Sequence, residues 1–90
     1  MAHGSMEGVK ERHLEYFRAV SNPLRRDILK ALEGGEATVE TLQSRINLDG
    51  KTLEWHLDIL QHALCVEKES RGAEVFYKIT KQGRIVDHFK

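Results

Sequence analysis

Apolar residues recur at three- and four-residue spacing through most of the chain, and alternate with polar ones only near its end. Val9, His13, Leu14, Phe17 and Val20 fall on one face of a helix over about Glu7–Val20. Ser21-Asn22-Pro23 breaks that pattern and starts another, because an Asn or Ser cap before a first-turn Pro opens a helix. The second helix runs from about Pro23 to Glu33 with Leu24, Ile28, Leu29 and Leu32 inward, and Gly34-Gly35 ends it. After the extended link Glu36-Ala37, Thr38 caps a third helix over Val39–Ile46, with Val39, Leu42 and Ile46 inward. Asn47-Leu48-Asp49 forms the turn.

Asp49 caps a fourth helix that runs to about Ala63, and a carboxylate suits that end of the helix dipole. Residues 66–70 and 74–79 read as two strands of a hairpin around Arg71-Gly72-Ala73. Thr80 then caps a last helix, Lys81–Phe89, with Ile85, Val86 and Phe89 apolar. The fold class predicted is α+β, mainly α. Its order is three helices, a reading helix, a two-stranded wing and a C-terminal helix, which is a winged helix-turn-helix.

Ninety residues make one domain. Met1-Ala2-His3-Gly4-Ser5 reads as a cloning scar before a natural start at Met6, so the domain is taken as residues 6–90. The chain holds 40% hydrophobic and 31% charged residues, a globular rather than disordered balance. No apolar run reaches the ~18 residues of a membrane span, so no membrane role is expected. The single Cys65 excludes an internal disulfide and fits a reducing cytoplasm. Lys and Arg number 14 and Asp and Glu number 14, so any affinity for nucleic acid depends on where the cations sit.

On a wheel of ~100° per residue, Leu53, Leu57, Leu60 and Leu64 line one side of the fourth helix and Lys51, Trp55, Asp58 and His62 the other. The outer side would enter a major groove, N-terminal residues nearest the base edges. There Lys51 can reach guanine or phosphate, Thr52 a phosphate or a thymine methyl, and Trp55 sugar and base edges. Trp55 either makes such a contact or lies partly buried against the wing. His56, nearer the packed side, reads as a structural, hydrogen-bonded histidine, with a base contact as the alternative. Glu54 can accept from cytosine N4, yet Asp49 to His62 carries one lysine against three acids, so weak affinity assisted by pairing is expected. The wing offers Lys68, Ser70 and Arg71, either to phosphates or to solvent. Arg25, Arg26 and Lys30 either touch the DNA backbone or solvate an exposed helix face; of these, Arg25 is the candidate contact.

These segments resemble the ArsR-like winged-helix transcription regulators, especially their archaeal branch, over roughly Phe17–Val86. The likeness rests on Ser21-Asn22-Pro23-Leu24-Arg25-Arg26-Asp27-Ile28-Leu29, on Thr52-Leu53-Glu54-Trp55-His56-Leu57-Asp58-Ile59-Leu60, on Leu64-Cys65-Val66-Glu67, on residues 75–80 and on Gly83-Arg84. It implies a DNA-binding regulator with double-stranded DNA as partner and a wing-tip Arg on phosphate or in the minor groove. Terminal helices dimerise in that family, so Leu14, Phe17, Val20, Ile85, Val86 and Phe89 either form a homodimer interface or simply cap the monomer core; the resemblance points to the interface. Metal-sensing members carry two Cys at the start of the third helix, where this chain has Thr38 and Glu40, so neither metal nor other cofactor is expected. Cys65, in the apolar Ala63-Leu64-Cys65-Val66 run, reads as a buried structural thiol, with a redox switch as the alternative. No nucleophile–base set or phosphate loop stands out, so no enzymatic activity is expected. A second reading stays open, a winged-helix protein-interaction module with weak or no DNA binding, since fold alone does not fix function.

Overall fold

The computed structural model describes residues 14–84. Residues 14–20 are helical (α1) and bury Tyr16, Ala19 and Val20, at three-four spacing. The apolar face expected here is thus turned: Leu14 and Phe17 are each 53% exposed, while Val20, placed at a dimer interface by the sequence, belongs to the protomer's own core. Val9, His13, Ile85, Val86 and Phe89 lie outside the described residues, as do residues 1–5, read as a scar, and most of the helix expected over Lys81–Phe89.

Helix α2 spans Pro23–Glu33. The Asn22 side chain accepts from the Leu24 and Arg25 amides, satisfying donors that a helix start leaves open. Its inward face is Arg25, Ile28, Leu29 and Leu32, and Leu24 is exposed. Position 25 stands three, four and seven residues from the three core side chains, position 24 only four and eight from Ile28 and Leu32, so Arg25 takes the central place expected of Leu24. Gly35, at φ +140°, carries the chain out of the helix.

Helix α3, Val39–Arg45, is capped by the Thr38 hydroxyl, which accepts from the Thr41 amide. It ends one residue before the sequence expectation, because Ile46 is already extended. Helix α4, Gly50–His62, begins at Asp49, whose carboxylate accepts from the amide and hydroxyl of Thr52. Those bonds hold the Asp49 carboxyl below its usual pKa. Leu53, His56, Leu57 and Leu60 face the core.

The end of α4 is a Schellman turn: the Leu64 amide donates to the Gln61 carbonyl and the Cys65 amide to the Leu60 carbonyl. Leu64 therefore takes φ +63°, and its side chain is 54% exposed. The leucine stripe read through residue 64 stops at Leu60, since the left-handed residue throws its side chain off the helical face.

Strands β1 (Val66–Arg71) and β2 (Glu74–Ile79) pair antiparallel, Val66 opposite Ile79 through Arg71 opposite Glu74. Gly72, at φ +60°, opens the two-residue turn between them, where a side chain would be strained. Ala37 adds a single bridge to Tyr77 on the other edge of β2, so the link expected to be merely extended is part of the sheet. Helix α5, described over Lys81–Arg84, starts on Thr80, whose hydroxyl accepts from the Gly83 amide.

The core joins Ile28, Leu29 and Leu32 of α2, Leu42 of α3, Leu53, Leu57 and Leu60 of α4, and Val66 and Tyr77 of the hairpin. Two helices joined by a short turn, a third packed behind them and a two-stranded wing make a winged helix-turn-helix, as the sequence pattern predicts.

Candidate nucleic-acid interface

With its leucines inward, α4 turns Lys51, Glu54, Trp55, Asp58, Gln61 and His62 to solvent. Lys51 makes no ion pair among the described residues. The Thr52 hydroxyl is occupied by its bond to Asp49, and the residue is half-buried. Trp55 is 59% exposed. It meets the His56 ring edge-on at 5.0 Å and lines an open cleft of about 360 Å³ with Glu15, Arg18, Asp58, Ile59 and His62. Its cleft neighbours come from α1 and α4, not from the wing. The two acids on this face, Glu54 and Asp58, also act on the wing: after burial, Asp58 and then Glu54 raise the pKa of the Tyr77 phenol.

Arg25 requires a correction. It is only 9% exposed, and its guanidinium is spent inside the protein. Nε donates to the Ala19 carbonyl at 2.7 Å, Nη2 to the Arg18 carbonyl at 3.0 Å, and Nη1 to His56 Nδ1 at 3.3 Å. A guanidinium has donors only, so His56 Nδ1 must accept, which fixes the imidazole as the neutral Nε2–H tautomer. Burial, then Arg25, holds the imidazole pKa below its ordinary value. Arg25 is thus no surface contact; it fastens α1 to α2 and α4. Arg26 and Lys30 are exposed.

The wing has two unlike faces, because successive strand residues point opposite ways. Lys68 and Ser70 share the face of Val66, Val75, Tyr77 and Ile79, where Lys68 is exposed without an ion pair among the described residues. Glu67, Glu69, Arg71, Glu74, Phe76 and Lys78 share the other. Arg71 is exposed yet held: Nε bonds Glu69, Nη1 and Nη2 bond Glu36, and the guanidinium lies 4.7 Å over the Phe76 ring. Glu36 first, then Glu69, raises its pKa further. Sequence reasoning missed Glu36, which stands 35 residues away and reaches Arg71 only because Ala37 bridges to Tyr77.

Cys65 is fully buried, and desolvation pushes its thiol up to about 11, too high for a reactive thiolate. Among the described residues no group of three or more His, Cys, Asp or Glu is placed to hold a metal ion. No helix among them is long and apolar enough to cross a membrane.

Comparison with known proteins agrees with this geometry. A family model described as a helix-turn-helix domain matches residues 20–68, from the end of α1 into β1. The chain is 32% identical over 63 residues to the transcriptional repressor SdpR of Bacillus subtilis, covering 70% of each chain. Among solved structures, the transcriptional repressor BigR from Xylella fastidiosa is 26% identical with a TM-score of 0.75, over 98% of this chain and 92% of that one. A homodimeric winged helix-turn-helix DNA-binding domain from Mycobacterium bovis, a possible ArsR-family regulator, shares the fold with a TM-score of 0.84 at 22% identity, over 92% and 79% of the two chains. Capped helices, short turn, outward α4 and wing, together with these matches, define the assignment: the chain belongs to the helix-turn-helix domain family of transcription regulators.

Proposed function

We propose that this protein is a transcription regulator that binds double-stranded DNA through α4 in the major groove and the wing on the sugar–phosphate backbone. The observation that carries the reading is the outward face of α4, backed by its buried leucines and presenting Lys51, without an ion pair among the described residues, beside Trp55. Lys51, Glu54 and Trp55 meet base edges or phosphates, Thr52 supports them by fastening the start of α4 to Asp49, and Lys68 and Ser70 reach phosphates from the wing. Leu14 and Phe17, both left exposed, with Ile85, Val86 and Phe89, form a two-fold interface that sets two reading helices about one DNA turn apart. The reading extends to a cytoplasmic regulator of the archaeal type that uses no metal or other cofactor and catalyses no reaction.

Fluorescence titration with genomic fragments at several salt concentrations tests this. Binding weakens as salt rises, and Lys51→Gln and Lys68→Gln each lower the slope of log K against log salt by about one. Absence of salt-dependent binding on any fragment overturns the reading. The acids of α4 would then favour the second one, a docking module for another protein.

A further inference from the structure

We propose that Glu36, outside both the reading helix and the wing, sets the DNA affinity of the wing by holding Arg71 away from phosphate. The inference rests on the DNA-binding reading and adds to it a residue that controls which cations the backbone meets.

The geometry is a clamp across β2. Ala37 pairs with Tyr77, so by alternation Glu36 shares a face with Phe76 and Lys78. Arg71 starts on that same face of β1, crosses the Phe76 ring and meets both Glu36 oxygens, its Nη2 at 2.9 Å, while its Nε is taken by Glu69. Each nitrogen of the guanidinium fork is thus engaged by a carboxylate. Two-pronged pairing of this kind has the same donor geometry as Arg on a phosphate, so one excludes the other. The nearby charges reinforce the hold, since this face carries Glu36, Glu67, Glu69 and Glu74 against only Arg71 and Lys78, with Lys78 3.8 Å from Glu67. On the opposite face Lys68 has no such partner among the described residues. With Arg71 held in this way the wing offers DNA Lys68, and its strongest phosphate ligand is withheld.

The test is a double-mutant cycle on the full chain, with DNA binding measured across salt for wild type, Glu36→Gln, Arg71→Gln and the pair. Glu36→Gln frees Arg71 for one more phosphate, which raises affinity on the order of five-fold near 0.1 M salt and steepens the salt slope by about 0.9. Arg71→Gln alone changes affinity less than about two-fold, yet in the Glu36→Gln background it abolishes the gain. If Glu36→Gln strengthens binding equally with and without Arg71, the effect is a general loss of negative charge and the clamp is refuted. Equal weakening by Arg71→Gln in both backgrounds also refutes it, because Arg71 then reaches DNA regardless of Glu36. Failure of all four proteins to bind any DNA would instead overturn the DNA-binding reading itself. Circular dichroism on each variant confirms that the exposed substitutions leave the fold intact.

Discussion

Nη1 of Arg25 donates to Nδ1 of His56 across 3.3 Å, joining the first turn of α2 to the middle of α4 at a point where neither side chain meets water freely. The pair lies directly behind the outward Trp55, whose ring touches that of His56. The core of this small domain is therefore polar where it supports the reading helix.

Replacing Arg25 should be among the most damaging single changes in the protein. Arg25→Ala strands the Ala19 carbonyl and the His56 nitrogen, leaves the Arg18 carbonyl to the Ser21 hydroxyl, and removes the link between α1 and α4. Loss of about 2–4 kcal/mol of unfolding free energy is expected, read by urea denaturation. Arg26→Ala, on the exposed side, should change stability by no more than about 0.5 kcal/mol. Equal effects from the two would contradict the buried network.

The same pair makes stability depend on pH. Folded His56 takes up its proton at lower pH than the unfolded chain does, whose imidazole titrates near about 6.5. Stability is then complete above that value and declines as pH falls towards and through the lower folded pKa, because the unfolded state binds the proton first. Urea midpoints between about pH 5 and 8 should show this fall, and His56→Gln should flatten it. An unchanged profile in the variant would assign the dependence to other groups.

The caps and the leucine stripe made the architecture readable from sequence. Asn22-Pro23, Thr38, Asp49 and Thr80 each mark a helix start by local chemistry, and the structure uses all four as caps. Arg25 was misread because its partners are carbonyls of the preceding helix and a histidine 31 residues on, which no local periodicity contains. Polar residues are placed outside by default, and that default fails where a fork of donors meets several acceptors at once. Arg71 was visible as a wing-tip cation, but its restraint by Glu36 emerges only once the sheet has formed.

Leu64 marks another limit of pattern. Three- and four-residue spacing runs on through a helix end when the left-handed residue is leucine rather than glycine. The φ of +63° is strained for a side chain by about 1–2 kcal/mol, and the exposed leucine recovers little by packing. Leu64→Gly should therefore stabilise the monomeric fold by about 0.5–1 kcal/mol after the entropy that glycine adds to the unfolded chain. A thermal melt at fixed protein concentration checks it, and destabilisation would show that Leu64 is covered in solution.

Gly83 carries the opposite expectation. A Cβ there would lie 2.3 Å from the Cys65 carbonyl oxygen and 2.8 Å from Ile79 Cγ1, and the first neighbour is backbone that cannot swing aside. Gly83→Ala should cost about 3 kcal/mol through displacement of α5 from the wing base. Gly34→Ala, with open space around the added carbon and φ −78°, serves as the control and should be nearly neutral. Chemical denaturation of the two variants separates a close approach from a general need for glycine.

The carbonyls of Ala63, Leu64 and Cys65, three in succession, all accept hydrogen bonds from the start of α5: Gln82 Nε2 on the first, the Thr80 hydroxyl on the second and the Thr80 amide on the third. The tail of the reading helix is thus bonded directly to the start of the helix that follows the wing. Moving the start of α5 therefore means either breaking these three bonds or carrying the last turn of α4 along with it.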